Sequence, residues 1–460
     1  MNQTETINER QLSAAELIDE SNTRFYERFP FPWRPAKFDF LVDPDFQTVM
    51  FNQNIGDWEG HTLPEKPSIW VAGCGTNSAL ITALTFPKAT VLGSDLSSES
   101  LGLCASSAKE LGVTNLELRR ESINGVSYKE QFDYIICNGV IHHNADPAAT
   151  LRKLVGALKR DGVMELMVYN LYERLATTAF GNAIKLLASN DAAPDLDRDI
   201  LRAKQVIADF QVTNFAMVTR GNIDEYPECL LADTFIQPNE GSFTLDTFEE
   251  LGNVCGLEVL HPACDHFDNI TTDTPWNLSF TNPDLQRDYY ALPDVRRWRI
   301  TNHVLFERSP QLWFYFQRQD SRRPRRSEQT ICAEFLKQKF VRGGTLQRSY
   351  IRNAEGSYVL STTQLAYPLA TPKGDAGAIY KAVDGQKTME QIMTQLDQPV
   401  TFQHVNKMRL QLTTTAHPYL RALPKLNGNR NSPADVFKRT NAELNLKKLK
   451  EIKPKPVSHV

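Results

Sequence analysis

Short apolar runs alternate with amphipathic stretches between residues 66 and 170. "SIWVAG" (68–73), "ATVLGSD" (89–95), "LELRRE" (116–121), "FDYIICNGV" (132–140) and "VMELMVYN" (163–170) read as strands. "NSALITALTF" (77–86), "SSESLGLCASSAKELG" (97–112) and "DPAATLRKLVGALKRDG" (146–162) read as the intervening helices. This alternation predicts a parallel sheet covered on both faces. The strands are apolar at successive positions, which marks them as central rather than edge strands. Further on, "SFTLDTFEELGNVCGLEVL" (242–260) predicts a helix and a strand, and "QLWFYFQRQ" (311–319) a last strand. Near the start, Leu12, Ala15, Leu17 and Ile18 repeat at helical spacing until the prolines of "FPFPWRP" (29–35) end the helix.

Five segments are expected on this pattern. Residues 1–60 form a helical and aromatic cap, and 61–320 the α/β body, with polar insertions at 172–242 and 262–310. "DSRRPRRSEQ" (320–329), charged and lacking apolar anchors, marks a linker at 321–330. Residues 331–430 form a small α or winged-helix module with a turn at Asp384-Gly385, and 431–460 a basic, mobile tail. At 460 residues, 41% apolar and 23% charged, the chain has the composition of an ordinary globular protein, which excludes collagen-like, disordered and disulfide-scaffold classes. The seven cysteines are scattered without a CxxC pair, so they read as reduced thiols and no metal site is expected. Residues 331–460 carry 20 Lys/Arg against 9 Asp/Glu, or +11, which leaves −15 for the rest of a chain with net charge −4. Such a tail on an acidic body suits a nucleic-acid or acidic-partner surface, or, as the preferred reading, a solvated face with a disordered end. Acidic residues early in the chain and the lack of any long apolar run argue for a cytoplasmic protein, with no signal peptide and no membrane span.

Candidate chemistry centres on "IWVAGCGTNSAL" (69–80). A strand ending in a glycine turn and feeding a helix directs free backbone N–H groups at a ligand above the turn. A dinucleotide turn would continue G-x-G-x-x-G, but Ser78 stands at the third glycine. Asp95, at the end of the next strand, is placed to accept hydrogen bonds from a ribose diol. A ligand without a pyrophosphate does not need the later glycine, and Asn77 tolerates left-handed backbone angles. S-adenosylmethionine meets both conditions.

In this order the segments resemble the class I S-adenosylmethionine-dependent methyltransferases. "WVAGCGTNS" (70–78) is similar to their first motif, "GSDLSSESL" (93–101) to their acidic second-strand motif, and residues 132–166 to their fourth strand with the helix and strand that follow. The resemblance implies a Rossmann-like, seven-stranded, doubly wound α/β sheet with helical insertions. It implies that Gly73, Gly75 and Asn77 lie along the methionine end of the cofactor, Asp95 at the ribose, Glu121 and Ser122 at the adenine, and Asn138 near the sulfonium. Val71 departs from the acidic residue usual two places before the first glycine, and Asn77 from the third glycine of this family.

Methyl transfer to a hydroxyl or ammonium needs a base, and His142 and His143 follow the fourth strand at the reactive edge of the sheet. Tyr169, Asn170, Tyr172 and Arg174 follow the fifth strand and are candidates for a substrate pocket. Tyr26, Phe29, Phe31, Trp33 and Arg34 are candidates for a lid. "CNGVIHH" lacks the prolines with which base N-methylases grip an exocyclic amine, which favours a small-molecule or protein/peptide acceptor over nucleic acid. Two other readings stay open here. One is a peptide- or protein-binding module on a non-catalytic core, suggested by "IYKAVDGQKTMEQIMTQL" (379–396). The other is a nicotinamide-dependent oxidoreductase.

Overall fold

In a computed structural model, which describes residues 12–187, 195–210, 226–263, 276–306 and 311–423, the apolar runs become five parallel strands of one sheet. They are β1 (Ser68–Ala72), β2 (Thr90–Asp95), β3 (Leu116–Arg120), β4 (Phe132–Asn138) and β5 (Leu158–Val168). β6 (Leu257–Pro262) and β7 (Leu312–Arg318) complete the sheet in the order β3-β2-β1-β4-β5-β7-β6, with β7 antiparallel to both neighbours. Ile69, Trp70 and Val71 of β1 are all buried, as a central strand requires. Strand order reverses between β1 and β4. In an open α/β sheet this is where the crevice for a ligand opens, beyond the C-terminal ends of the strands.

Local signals fix the helices. α1 (Ala14–Arg28) begins with a capping box between Ser13 and Glu16. α2 (Ser78–Thr85) follows β1 directly. In α3 (Ser98–Leu111) the Ser97 hydroxyl accepts from the Ser100 N–H, and left-handed Gly112 ends the helix. Asp146 caps α4 (Pro147–Ala157), with the proline at its first turn. The first insertion holds α5 (Leu171–Leu186), α6 (Leu196–Phe210) and α7 (Glu228–Phe235). These helices bury Phe25 and Phe29 of the N-terminal segment among Phe180, Ile184, Leu231 and Phe235. α8 (Leu245–Val254) precedes β6, and α9 (Pro283–Tyr290) and α10 (Asp294–Val304) precede β7.

The chain divides into two compact units, and the division corrects the expected boundaries. The described residues of 1–38, 66–325 and 352–359 form the first; those of 39–65, 326–351 and 360–423 form the second. The expected cap at 1–60 is therefore split. Trp58 belongs to the core of the second unit, with ring centroids 5.8 Å from both Phe335 and Phe340. That unit contains helices Phe46–Asn54, Glu328–Lys337, Gly374–Ala382, Met389–Gln395 and Phe402–Thr413. It also has short antiparallel pairs, 340–342 with 420–422 and 345–347 with 365–367. The expected turn is present: the Asp384 carboxylate accepts from the N–H groups of Gln386 and Lys387, and Gly385 has φ 77°.

Residues 321–330 are not a free linker. Arg322 pairs with Asp161, Arg325 pairs with Asp294, and a helix starts at Glu328. Charges that look solvated in sequence find buried or half-buried carboxylates. The expected tail at 431–460, Cys264, and parts of both insertions (188–194, 211–225, 264–275 and 307–310) lie outside the described residues. No helix among the described residues is long and apolar enough to cross a membrane.

Candidate active site

The glycine turn is built around close contacts. Gly73 and Gly75 have φ of 72° and 54°, angles that side chains with a Cβ adopt at a cost. A Cβ on Gly73 would stand 2.3 Å from Cγ2 of Val140, and one on Gly75 would stand 2.3 Å from the carbonyl oxygen of Phe31. The Phe31 carbonyl accepts from the Thr76 N–H at 3.1 Å, and the Thr76 hydroxyl donates to the Pro32 carbonyl. The segment after α1 is thus laid directly on the turn. Asp95 ends β2 beside it. Its two oxygens accept from the N–H groups of Gly75 (2.8 Å) and Ser97 (2.9 Å). Burial pushes its carboxyl above the usual range, and those N–H groups partly hold it down.

A cavity of about 360 Å³ runs from this turn along the strand ends. At the β3 end lie Glu121 and Ser122, with Asp19 of α1 opposite. The Ser122 hydroxyl and the Asn124 amide both donate to Asp19. The Tyr128 hydroxyl donates to Glu121. At the middle lies Asn138, which ends β4. Its Nδ2 donates to Glu165 Oε1 at 2.7 Å, so the amide orientation is set and Oδ1 is left as a buried acceptor without a partner. Trp313 Nε1 donates to the same Glu165 oxygen, and the Tyr134 hydroxyl donates to the other. Glu165 thus holds two cavity-lining side chains from beneath.

The far end of the cavity lies beyond β5. Asp233 of α7 is buried, and its two oxygens accept from the hydroxyls of Tyr26 (2.9 Å) and Tyr169 (2.8 Å). His143 lines the same end. Its Nδ1 lies 2.6 Å from the Asn239 carbonyl, which can only accept, so Nδ1 carries the proton and Nε2 presents a lone pair. Nε2 is buried without a partner. Burial lowers its pKa, with Asp233, the Asn239 carbonyl and Glu240 acting against that fall. Arg174 stacks over Tyr169 at 4.2 Å and pairs with Glu240. Next to it, burial pushes Glu173 up to about 7.

Several expected site residues sit elsewhere. His142 does not line the cavity: it stacks on Tyr169 at 3.9 Å with both ring nitrogens unpartnered, and burial drives its pKa well below the ordinary value. Asn77 donates from Nδ2 to the Trp33 carbonyl, bracing the overlying segment instead of facing the cavity. Asn170 is fully buried and caps α5. Tyr172 turns outward to His303. Trp33 and Arg34 line a separate shallow recess with Arg352 and Gly356, and Phe29 is in the core. Tyr26, Phe31, Tyr169 and Arg174 do line the cavity. Unforeseen were Asp19 and Asn22, which recur with Tyr26 on one face of α1, and Asp233. A polar stripe at helical spacing and a lone acid inside the apolar "LLADTF" were the available signals.

The site fits S-adenosylmethionine. Gly73 and Gly75 line the cavity where a ligand's methionine end would lie, Asp95 offers acceptor lone pairs for ribose hydroxyls, and Asn138 Oδ1 lacks a donor. Glu121 and Ser122 line the β3 end, beside Asp95, where the adenine would lie. Among known proteins, the family model described as "Methyltransferase domain" matches residues 72–192. An uncharacterized protein of Synechococcus sp. is 25% identical over 291 residues, 62% of this chain and 68% of that protein. The tRNA U34 carboxymethyltransferase of Campylobacter jejuni is 29% identical over 147 residues, 29% of this chain and 47% of that protein. An uncharacterized protein of Rickettsia prowazekii is 32% identical over 129 residues, 27% of this chain and 48% of that protein. The chain thus spans about half the length of these last two relatives. Among solved structures, PKMT2 from Rickettsia typhi, also solved in complex with AdoHcy, shares the fold. Its TM-score is 0.50 at 16% identity, covering 85% of this chain and 77% of that one. Strand order, turn, Asp95 and family match agree: the cofactor is S-adenosylmethionine, and the chain carries a class I S-adenosylmethionine-dependent methyltransferase domain.

Proposed function

We propose that this protein methylates a small-molecule or peptide acceptor that must lose a proton, with His143 as the base. The observation that carries this reading is the imidazole fixed by Asn239, whose bare Nε2 belongs to a residue lining the far end of the cavity. When bound, S-adenosylmethionine supplies an activated methyl group and its sulfur leaves as the thioether. The protein's part is to bring the nucleophile in line and accept its proton, contributions worth several kcal/mol and about 10²–10⁴-fold in rate. Tyr26 and Tyr169, fixed by Asp233, form walls against which an acceptor is oriented.

An acceptor of low negative charge is favoured, since the cavity is lined by Asp19, Asp95, Glu121 and Asp233 against Arg174, and Arg174 is already paired with Glu240. A phosphodiester would meet net repulsion there. The test is a methylation assay on His143→Ala and His143→Gln. Turnover lost while S-adenosylhomocysteine still binds supports the role, and turnover retained in both variants removes it.

A further inference from the structure

Asp233 has a property that holding two tyrosines does not explain. It is 6% exposed, and no Lys, Arg or His lies within ion-pair distance of it among the described residues. The nearby cation, Arg174, is taken by both oxygens of Glu240 and by the Thr234 carbonyl. A carboxylate withdrawn from water without a cation is costly, and two neutral hydroxyl donors offset only part of that cost. Each Asp233 oxygen keeps acceptor capacity beyond its single tyrosine bond. Tyr26, Tyr169 and Trp313 add aromatic surface at the same end of the cavity, and ring faces attract cations. Sheet order separates this end from the ribose position: β2 and β5 are three strands apart, about 14 Å at the usual spacing of neighbouring strands. Asp233 is therefore placed for the acceptor and not for the nucleoside.

We propose that Asp233 selects an acceptor that enters as a primary ammonium, so that the reaction is N-methylation of an alkylamine. This rests on the methyltransferase reading and deepens it. The ammonium docks on the Asp233 carboxylate and gives one proton to His143 Nε2, leaving a neutral amine. The nitrogen lone pair forms the N–C bond as the S–C bond breaks with its electron pair going to sulfur. The product leaves as the methylated ammonium, and His143 releases its proton to solvent. A hydroxyl acceptor would bring no cation to the Asp233 carboxylate when it binds.

The test is calorimetric titration of the full-length protein, saturated with S-adenosylhomocysteine, with n-butylammonium chloride and with 1-butanol at neutral pH. The expected result is binding of the ammonium at least tenfold tighter than of the alcohol, the size of one charge-assisted contact, and loss of that preference in Asp233→Asn. Absence of ammonium binding, equal affinities, or a preference that persists in Asp233→Asn overturns the proposal. The wild-type comparison decides even where the variant does not fold. Failure of S-adenosylhomocysteine itself to bind would instead remove the methyltransferase reading.

Discussion

Gly75 and Gly112 both have left-handed backbone angles, φ 54° and 67°, yet their surroundings differ completely. An alanine Cβ at 112 meets nothing within 4 Å, whereas one at 75 lies 2.3 Å from the Phe31 carbonyl oxygen. Gly112→Ala should therefore cost only the left-handed conformation, about 1–2 kcal/mol. Gly75→Ala carries that cost and must also move backbone by about 1 Å to reach ordinary contact, an overpacking penalty of about 1–3 kcal/mol. The displaced segment is held by Thr76 and Asn77, so relief at one bond strains the others. Scanning calorimetry can follow the transition that S-adenosylhomocysteine raises, which identifies the cofactor-binding unit. At roughly 2–4 °C per kcal/mol for a domain of this size, Gly75→Ala should melt several degrees below Gly112→Ala. It should also bind S-adenosylhomocysteine more weakly, while Gly112→Ala binds as wild type. Two variants within about 0.5 kcal/mol of one another would refute the close docking of the Phe31–Pro32 segment on the turn.

Asp95→Ala should weaken S-adenosylhomocysteine binding by about 2–3 kcal/mol, roughly 30- to 150-fold, from lost hydrogen bonds to a carboxylate; unchanged affinity by calorimetry would displace the ribose. His143 works as a base only when neutral, and burial lowers its pKa, so turnover should fall on acidification only below the ordinary histidine value near 6.5. A pH–rate profile with its acid limb above that value would contradict this. Glu173 has a folded-state pKa of about 7 against an ordinary 4.5. Its contribution to stability is therefore full below about 4.5 and lost as pH rises through about 7. Glu173→Gln should then stabilise the protein at pH 8 by at most roughly 3 kcal/mol and change little at pH 4, measured by urea unfolding at both pH values.

The sheet was readable because β1, β2 and β4 are apolar on successive positions and each is followed by a helix, capped by Ser97 after β2 and by Asp146 after β4, signals that act over a few residues. The ligand turn was readable for the same reason, since Gly73, Gly75 and Asp95 occupy fixed offsets from strand ends. The acceptor end was not. Asp233, Asn239 and Tyr26 meet His143 only through tertiary packing of an insertion and an N-terminal helix, for which spacing along the chain carries no signal. Chain order also misassigned Asn170 and Tyr172: both follow β5, but α5 starts at once, so one caps it and the other turns outward. The expected linker failed for a related reason, since the carboxylates that bind Arg322 and Arg325 lie far away in sequence.

The Tyr26–Asp233 bond sets a timetable for synthesis of the protein. Its partners are 207 residues apart, so at translation rates of about 5–20 residues per second the N-terminal helix waits on the order of 10–40 s for its acid to be made. During that interval Phe25 and Phe29 have no native core to enter, because Phe180, Leu231 and Phe235 are also later in the chain. The segment that roofs the finished active site is thus made well before the helices that bury it.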